Sequence, residues 1–264
     1  MVLDILRKEM ERALAPLTTL LIRFPPDLFT LLSLVFAVLA GVLYWSSGLW
    51  VPEGRYPWLL LGALAMVGLN SIADSLDGAI ARRSGRTTAV GDFLDHTFDR
   101  FSDILILTGI ALSSYCNVIF GLTTVIFVLL SSYMGTQAQA LGCGRNYSGV
   151  MGRADRMVLL LITTPVQFLV GAIWGVKGAD IGIGYRIVPM EVLMGIMLVG
   201  GILTTLSRGT DTLLELRRRD AQDRRRGGFG TNGGRRWNGP GPLRKAEDDR
   251  LSKGKKGIEK RRFR

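Results

Sequence analysis

Asp74-Ser75-Leu76-Asp77-Gly78-Ala79-Ile80-Ala81-Arg82, then eight residues, then Gly91-Asp92-Phe93-Leu94-Asp95-His96-Thr97-Phe98-Asp99: this stretch puts acid at the end of one long apolar run and at the start of the next. In a helix, residues three and four apart share a side. Asp74, Asp77, Gly78 and Ala81 therefore lie on one face, and Asp95, Asp99 and Asp103 on another, with Asp92 close to it. Between the runs, Arg82-Arg83-Ser84-Gly85-Arg86-Thr87 is polar and contains a glycine, which predicts a tight turn. The two helices are then antiparallel neighbours whose acidic faces meet.

Lipid does not tolerate such faces. A carboxylate at the centre of a membrane span costs about 2.5–3.5 kcal/mol on insertion scales, and four would cost about 10–14 kcal/mol, less near the interface. The acids must face the bundle interior, where they repel one another unless a cation joins them. Mg²⁺ or Mn²⁺ prefers carboxylate oxygens and keeps open positions for phosphates. Carboxylates from two facing helices suit a pair of divalent ions, which clamp a phosphoryl group and its leaving oxygen.

The surrounding sequence predicts an all-α integral membrane protein, because 48% of its 264 residues are hydrophobic and they fall in long runs. Six transmembrane helices are expected, at about 28–46, 56–83, 88–114, 117–141, 154–176 and 185–210. Residues 1–24 read as a juxtamembrane amphipathic helix with Leu3, Leu6, Met10, Leu14 and Leu17 in one stripe. An ordinary helix packed on a partner is the alternative there. Pro25-Pro26 breaks it, and Asp27 is placed to cap the first span. The catalytic domain is expected over 25–212 and a basic, unfolded tail over 213–264.

Charge is concentrated in that tail. Residues 217–264 carry 18 Lys and Arg against 6 Asp and Glu, whereas the other 216 residues carry 15 against 16. The tail has too little apolar content to fold alone and reads as a segment attracted to anionic lipid rather than to nucleic acid. Arginines also gather in the turn after span two (Arg82, Arg83, Arg86) and the loop after span four (Arg145, Arg153, Arg156); the opposite loops hold Arg55, then none, then Lys177 and Arg186. The positive-inside rule places both termini and the acid cluster on the cytoplasmic side of the plasma membrane. Trp45, Trp50, Trp58 and Trp174 fall at the opposite ends, as an outer aromatic belt does. Asp74 follows Trp58 by 16 residues, roughly 24 Å of helix, so the cluster lies near one membrane face. Cys116 and Cys143 stand at opposite ends of a span and are expected to remain unpaired. The N-terminus shows no pattern of a cleavable signal peptide.

The string DxxDGxxAR, eight residues, then GxxxDxxxD resembles the signature of the CDP-alcohol phosphotransferases, also called CDP-alcohol phosphatidyltransferases. Asp74, Asp77, Gly78, Ala81, Arg82, Gly91, Asp95 and Asp99 match every defined position. The motif covers about 26 of the 264 residues, and the hydropathy around it is similar to the family's. The resemblance implies transfer of a phosphoryl-linked group from a CDP-linked lipid to a small polar alcohol, with release of CMP. It implies that Asp74, Asp77, Asp95 and Asp99 ligate two divalent ions, Mg²⁺ or Mn²⁺, that grip the diphosphate. Asp99 would also be the catalytic base for the attacking hydroxyl. Asp74, Gly78, Ala81, Arg82 and Gly91 would bind the nucleotide and diphosphate, although Gly78 and Ala81 also suit plain helix packing. The family often carries Asn-x-x-Thr where this chain has Asp27-x-x-Thr30, and a helix cap is the simpler reading of Asp27. The family usually forms dimers, so a homodimer is expected by resemblance alone.

The acceptor is read from Gly149-Val150-Met151-Gly152-Arg153-Ala154-Asp155-Arg156. Arg153 and Arg156 are three apart at a helix N-terminus, a good site for an acceptor phosphate, with Asp155 between them to orient one. The string resembles the branch that makes phosphatidylinositol phosphate or archaetidylinositol phosphate, whose acceptor is inositol 1-phosphate. Tyr133 and Gln137, on one face of span four, offer neutral hydrogen bonds to a polyol. Glycerol 3-phosphate, serine and inositol remain open as acceptors. A cation transporter using buried carboxylates is the alternative outside this chemistry. His96 lies about 100° from Asp95 around the helix and is read as a packing residue. Asp103, one turn deeper than Asp99, faces either Arg100 or the acceptor.

Overall fold

The computed structural model describes residues 14–49, 58–144, 148–174, 178–180 and 186–225. The expectations for residues 2–13, Trp50, Arg55, Arg145, Lys177, the side chains of Trp174 and Arg186, and the tail beyond Arg225 fall outside the described positions. Helix α1 covers 14–21. It is followed by α2 (Pro26–Leu49), α3 (Leu59–Ser84), α4 (Ala89–Ala111), α5 (Val118–Ala140), α6 (Arg153–Trp174) and α7 (Pro189–Arg225). Between α6 and α7, β1 (Ala179–Asp180) and β2 (Arg186–Ile187) form a two-residue antiparallel pair, with Ala179 opposite Ile187.

Among the described residues, five helices are long and apolar enough to cross a membrane: α2, α3, α5, α6 and α7. The protein is a multi-pass membrane protein. The remaining expected span, α4, is 23 residues long, roughly 35 Å and sufficient to cross. Its run of acids, Asp92, Asp95, Asp99 and Asp103, lowers its hydropathy below that of the others. α7 departs from expectation in length. It has 37 residues and continues through 213–225, where a structureless tail was expected to begin. Intrahelical pairs such as Arg219 Nε to Glu215 Oε1, 2.9 Å apart, accompany the extension.

The chain divides into two compact units. The first draws on Met1–Leu130 and Val150–Leu203, the second on Ser131–Gly149 and Thr204–Arg264. In the second, the Arg208 guanidinium donates from Nε to Ser148 O (2.9 Å) and from Nη1 to Ser131 O (2.7 Å). That ties the connection after α5 to both helices of the unit.

The first unit holds the acid stretch. Its core includes Tyr44, Leu60, Ile106, Leu107, Ile110, Leu160, Met190 and Met194, all fully buried. α2 and α4 cross backbone to backbone at Gly41 and Gly109: a Cβ on Gly109 would overlap the Gly41 backbone, and one on Gly41 would overlap the Leu105 carbonyl. Small residues at a crossing let membrane helices approach this closely. Gly109→Val is therefore expected to cost about 1–3 kcal/mol through overpacking, read as earlier thermal unfolding in detergent. Polar cross-links complete the packing. Tyr44 Oη meets Thr164 Oγ1 at 2.6 Å between α2 and α6. Asn70 Nδ2 on α3 donates to Ser33 O on α2 (2.8 Å) and approaches Ser102 Oγ on α4 (3.4 Å).

α1 packs rather than simply lying on lipid. Leu14 and Leu21 cover a small cluster of Phe29, Leu76 and Ile80. Arg83 Nη1 donates to Ala15 O (3.1 Å) and Thr19 Oγ1 (3.0 Å). Leu20 remains exposed, so the helix has a packed side and an open one. Trp45 and Trp58 are exposed at helix ends, as an aromatic belt requires, and Trp58 also touches the Phe168 ring at 5.4 Å. Cys116 and Cys143 are both free.

Candidate active site

The turn between α3 and α4 has the chemistry its composition predicts. Gly85 closes α3 at φ 67°, ψ 17°, a left-handed position that glycine adopts without Cβ strain, and the Arg86 N–H bonds back to Ala81 O at 3.1 Å. Thr88 opens α4 as its N-cap, with Oγ1 accepting the Gly91 N–H at 2.9 Å. Asp27 is not a cap. α2 starts at Pro26, a favoured first position because proline has no N–H to leave unsatisfied. Asp27 Oδ1 instead lies 3.6 Å from where a Gly91 Cβ would be, so the start of α2 meets the start of α4.

These ends bring the acids together. One carboxylate oxygen from each of Asp74, Asp95 and Asp99 lies within 4.8 Å of the others, and all three residues are half-buried. Asp77 is buried one turn further along α3, near enough to Asp74 and Asp95 to interact with both charges. Its Oδ1 takes the Gly78 N–H, the Thr30 hydroxyl of α2 also reaches the carboxylate, and Oδ2 is buried without a hydrogen bond of ordinary geometry. A buried orphan carboxylate oxygen beside three converging ones fits a hard divalent cation better than any neutral ligand.

Arg153, at the start of α6, reaches into the cluster. Its Nη1 lies 2.6 Å from Asp74 Oδ2 and 2.5 Å from Asp99 Oδ1, and its Nε lies 3.8 Å from Asp103 Oδ1. Arg156 Nη2 pairs with Asp103 Oδ2 at 2.5 Å, and both residues are only 3% exposed. The expectation of two arginines side by side in an open phosphate pocket is thus divided. Arg153 is in the site, whereas Arg156 is turned inward and joins α6 to α4. Asp155 orients neither arginine. Its Oδ2 accepts the Gly152 N–H at 2.7 Å and closes the first turn of α6, where backbone donors lack partners.

The other expected residues of the first unit lie on α3 and α4. Arg82 folds over Gly78: a Cβ there would lie 3.0 Å from Arg82 Nη1. Ala81 is half-buried beside it. The Gly91 N–H is taken by Thr88, so Gly91 can offer the donor space rather than a hydrogen bond. His96 stands between Asp92 (3.6 Å) and Asp95 (3.8 Å) without a short contact to either. Tyr133 and Gln137 are exposed on α5 and belong to the second unit. Two contributors carry more than their residue types suggested. Asn70, one helical turn before Asp74 on the same face, joins three helices beneath the acids. Asp103 engages both arginines of α6. The i, i+4 spacing Asn70–Asp74 was visible in the sequence; the partners of Asp103, 50 residues away, were not.

The archaetidylinositol phosphate synthase of Methanothermobacter thermautotrophicus is 34% identical over 151 residues, 56% of this chain and 70% of that protein. The phosphatidylinositol phosphate synthase of Cutibacterium acnes is 34% identical over 170 residues, 61% and 77% respectively. Among solved structures, the Mycobacterium tuberculosis phosphatidylinositol phosphate synthase with CDP-DAG bound aligns with a TM-score of 0.58 at 23% identity, over 76% of this chain and 94% of that one. The same enzyme with manganese and citrate gives 0.58 at 24% identity, over 75% and 88%. The family model for CDP-alcohol phosphatidyltransferase matches residues 23–205, which takes in α2 to α6 and every acid of this site, and the chain belongs to that family.

Proposed function

We propose that this chain transfers a phosphatidyl-type group, diacyl or archaeol, from a CDP-lipid to the hydroxyl of inositol 1-phosphate and releases CMP. The observation that carries the reading is the convergence of Asp74, Asp95 and Asp99 with Arg153 on one site in a chain of this family. The named activities of its relatives support the acceptor. A transporter has no use for the matching Gly78, Ala81 and Arg82, and the family assignment removes that alternative.

Asp74, Asp77, Asp95 and Asp99 would hold the divalent ions, Mg²⁺ or Mn²⁺. When bound, they supply positive charge to the diphosphate and to the departing CMP. The chain's own residues do the rest. Gly78 and Ala81 are small enough to admit the nucleotide close to α3 once the Arg82 side chain, which lies over Gly78, moves onto donor phosphate. Asp99 accepts the proton of the attacking hydroxyl, which requires hydrogen-bond reach to that oxygen. Arg153 is the acceptor's phosphate ligand. Arg156, held by Asp103, fixes the start of α6 so that Arg153 points at the acids. The arginine distribution supports an orientation with both termini and this site in the cytoplasm, at the plasma membrane. We place the catalytic body at residues 25–212, a range that contains most of the stretch matched by the family model, 23–205.

The metal assignment has a direct test. EDTA is expected to abolish CMP release by the purified protein, and Mn²⁺ or Mg²⁺ to restore it. Asp74→Asn is expected to remain inactive at ion concentrations that saturate the wild type. Full activity in EDTA would contradict the assignment.

A further inference from the structure

Arg153 and a metal ion compete for the same oxygens. Its Nη1 lies 2.6 Å from Asp74 Oδ2 and 2.5 Å from Asp99 Oδ1, oxygens of the carboxylates that would hold a divalent ion. Two cations cannot share that position. One turn deeper on α4, Asp103 Oδ1 is buried without a hydrogen bond, 3.8 Å from Arg153 Nε. Arg153 Nε and Nη2 are likewise buried without hydrogen bonds. The guanidinium is thus hydrogen-bonded at one end only, and at the other it faces a carboxylate oxygen at ion-pair but not hydrogen-bond distance.

We propose that Arg153 is an internal counter-ion that metal displaces from Asp74 and Asp99, and that Asp103 is the positioning residue that receives it. The displacement turns the guanidinium's free nitrogens toward the acceptor phosphate. Metal and acceptor binding are then coupled through one side chain. This rests on the reading of Asp74 and Asp99 as metal ligands. Linkage makes the coupling reciprocal: if metal strengthens acceptor binding, acceptor strengthens metal binding by the same factor. Asp103 already holds Arg156 with its other oxygen, so it can take Arg153 without releasing the α6 anchor.

The test is Mn²⁺ affinity, followed by the resonance of free Mn²⁺, on the full chain in nanodiscs without donor. Arg153→Gln is expected to bind Mn²⁺ roughly tenfold more tightly than wild type, because the competitor is gone. Asp103→Asn is expected to bind more weakly, and to have no effect in the Arg153→Gln background. Inositol 1-phosphate is expected to tighten Mn²⁺ binding by the wild type and not by Arg153→Gln. A merely structural Asp103, or one acting through its charge alone, would weaken binding equally in both backgrounds, and that result overturns its role. Unchanged or weaker binding by Arg153→Gln overturns the competition itself. Should Asp103→Asn fail to fold, the Arg153→Gln and inositol 1-phosphate arms still decide the competition. Mn²⁺ binding that survives both Asp74→Asn and Asp99→Asn would instead refute the metal site, a failure distinct from the others.

Discussion

Asp99→Asn is expected to lower turnover about 10³-fold while CDP-lipid binding survives in part. Asparagine keeps the shape of the side chain but cannot take a proton, and general-base catalysis contributes about 10²–10⁴-fold. The variant also removes one of three converging carboxylates, so metal affinity falls as well, and the measurement is made at saturating Mn²⁺. Arg153 keeps a carboxylate partner in the variant, Asp74 without metal and Asp103 with it, so the site does not collapse. Near-wild-type CMP release by this variant would remove Asp99 from the role of base.

Arg156→Ala is the substitution expected to cost most in stability. Removing one member of a buried ion pair leaves the other charged and unpaired, at about 3–5 kcal/mol. Arg156 and Asp103 are both 3% exposed, and Arg153 Nε, 3.8 Å from Asp103 Oδ1, remains as a looser ion-pair partner that compensates only part of the loss. For a chain of this size that corresponds to about 10 °C or more in thermal unfolding. The double variant Asp103→Leu with Arg156→Met is expected to recover much of the loss, since an apolar pair of similar volume can match a buried salt bridge. A single Arg156→Ala variant that melts with the wild type would show that α6 is not held by this pair.

The helices and the acid faces were legible in the sequence because the two signals are strong and local. A run of apolar residues long enough to cross lipid has few alternatives, and acids at three- and four-residue spacing define a face. α3 and α4 begin and end within a few residues of expectation, and Gly85 makes the turn that its neighbours predict. What was not legible depended on contacts distant in sequence. Arg153 and Arg156 looked equivalent at three-residue spacing, but only Asp103, on another helix, decides that Arg156 turns inward. Asp155 looked like an orienting partner for arginine, and the unsatisfied N–H of Gly152 took it instead. The length of α7 was missed for another reason. Its polar second half has no apolar stripe to mark it, and helix propensity alone is a weak guide.

The measurement that tests the account most directly is CMP release by the purified protein with Mg²⁺ and CDP-lipid, offered inositol 1-phosphate, glycerol 3-phosphate, serine and inositol in separate reactions. Release with inositol 1-phosphate, lost on Arg153→Ala, is the predicted result. Release with serine or inositol in its place, unaffected by Arg153→Ala, would contradict the reading of Arg153 and of the acceptor together.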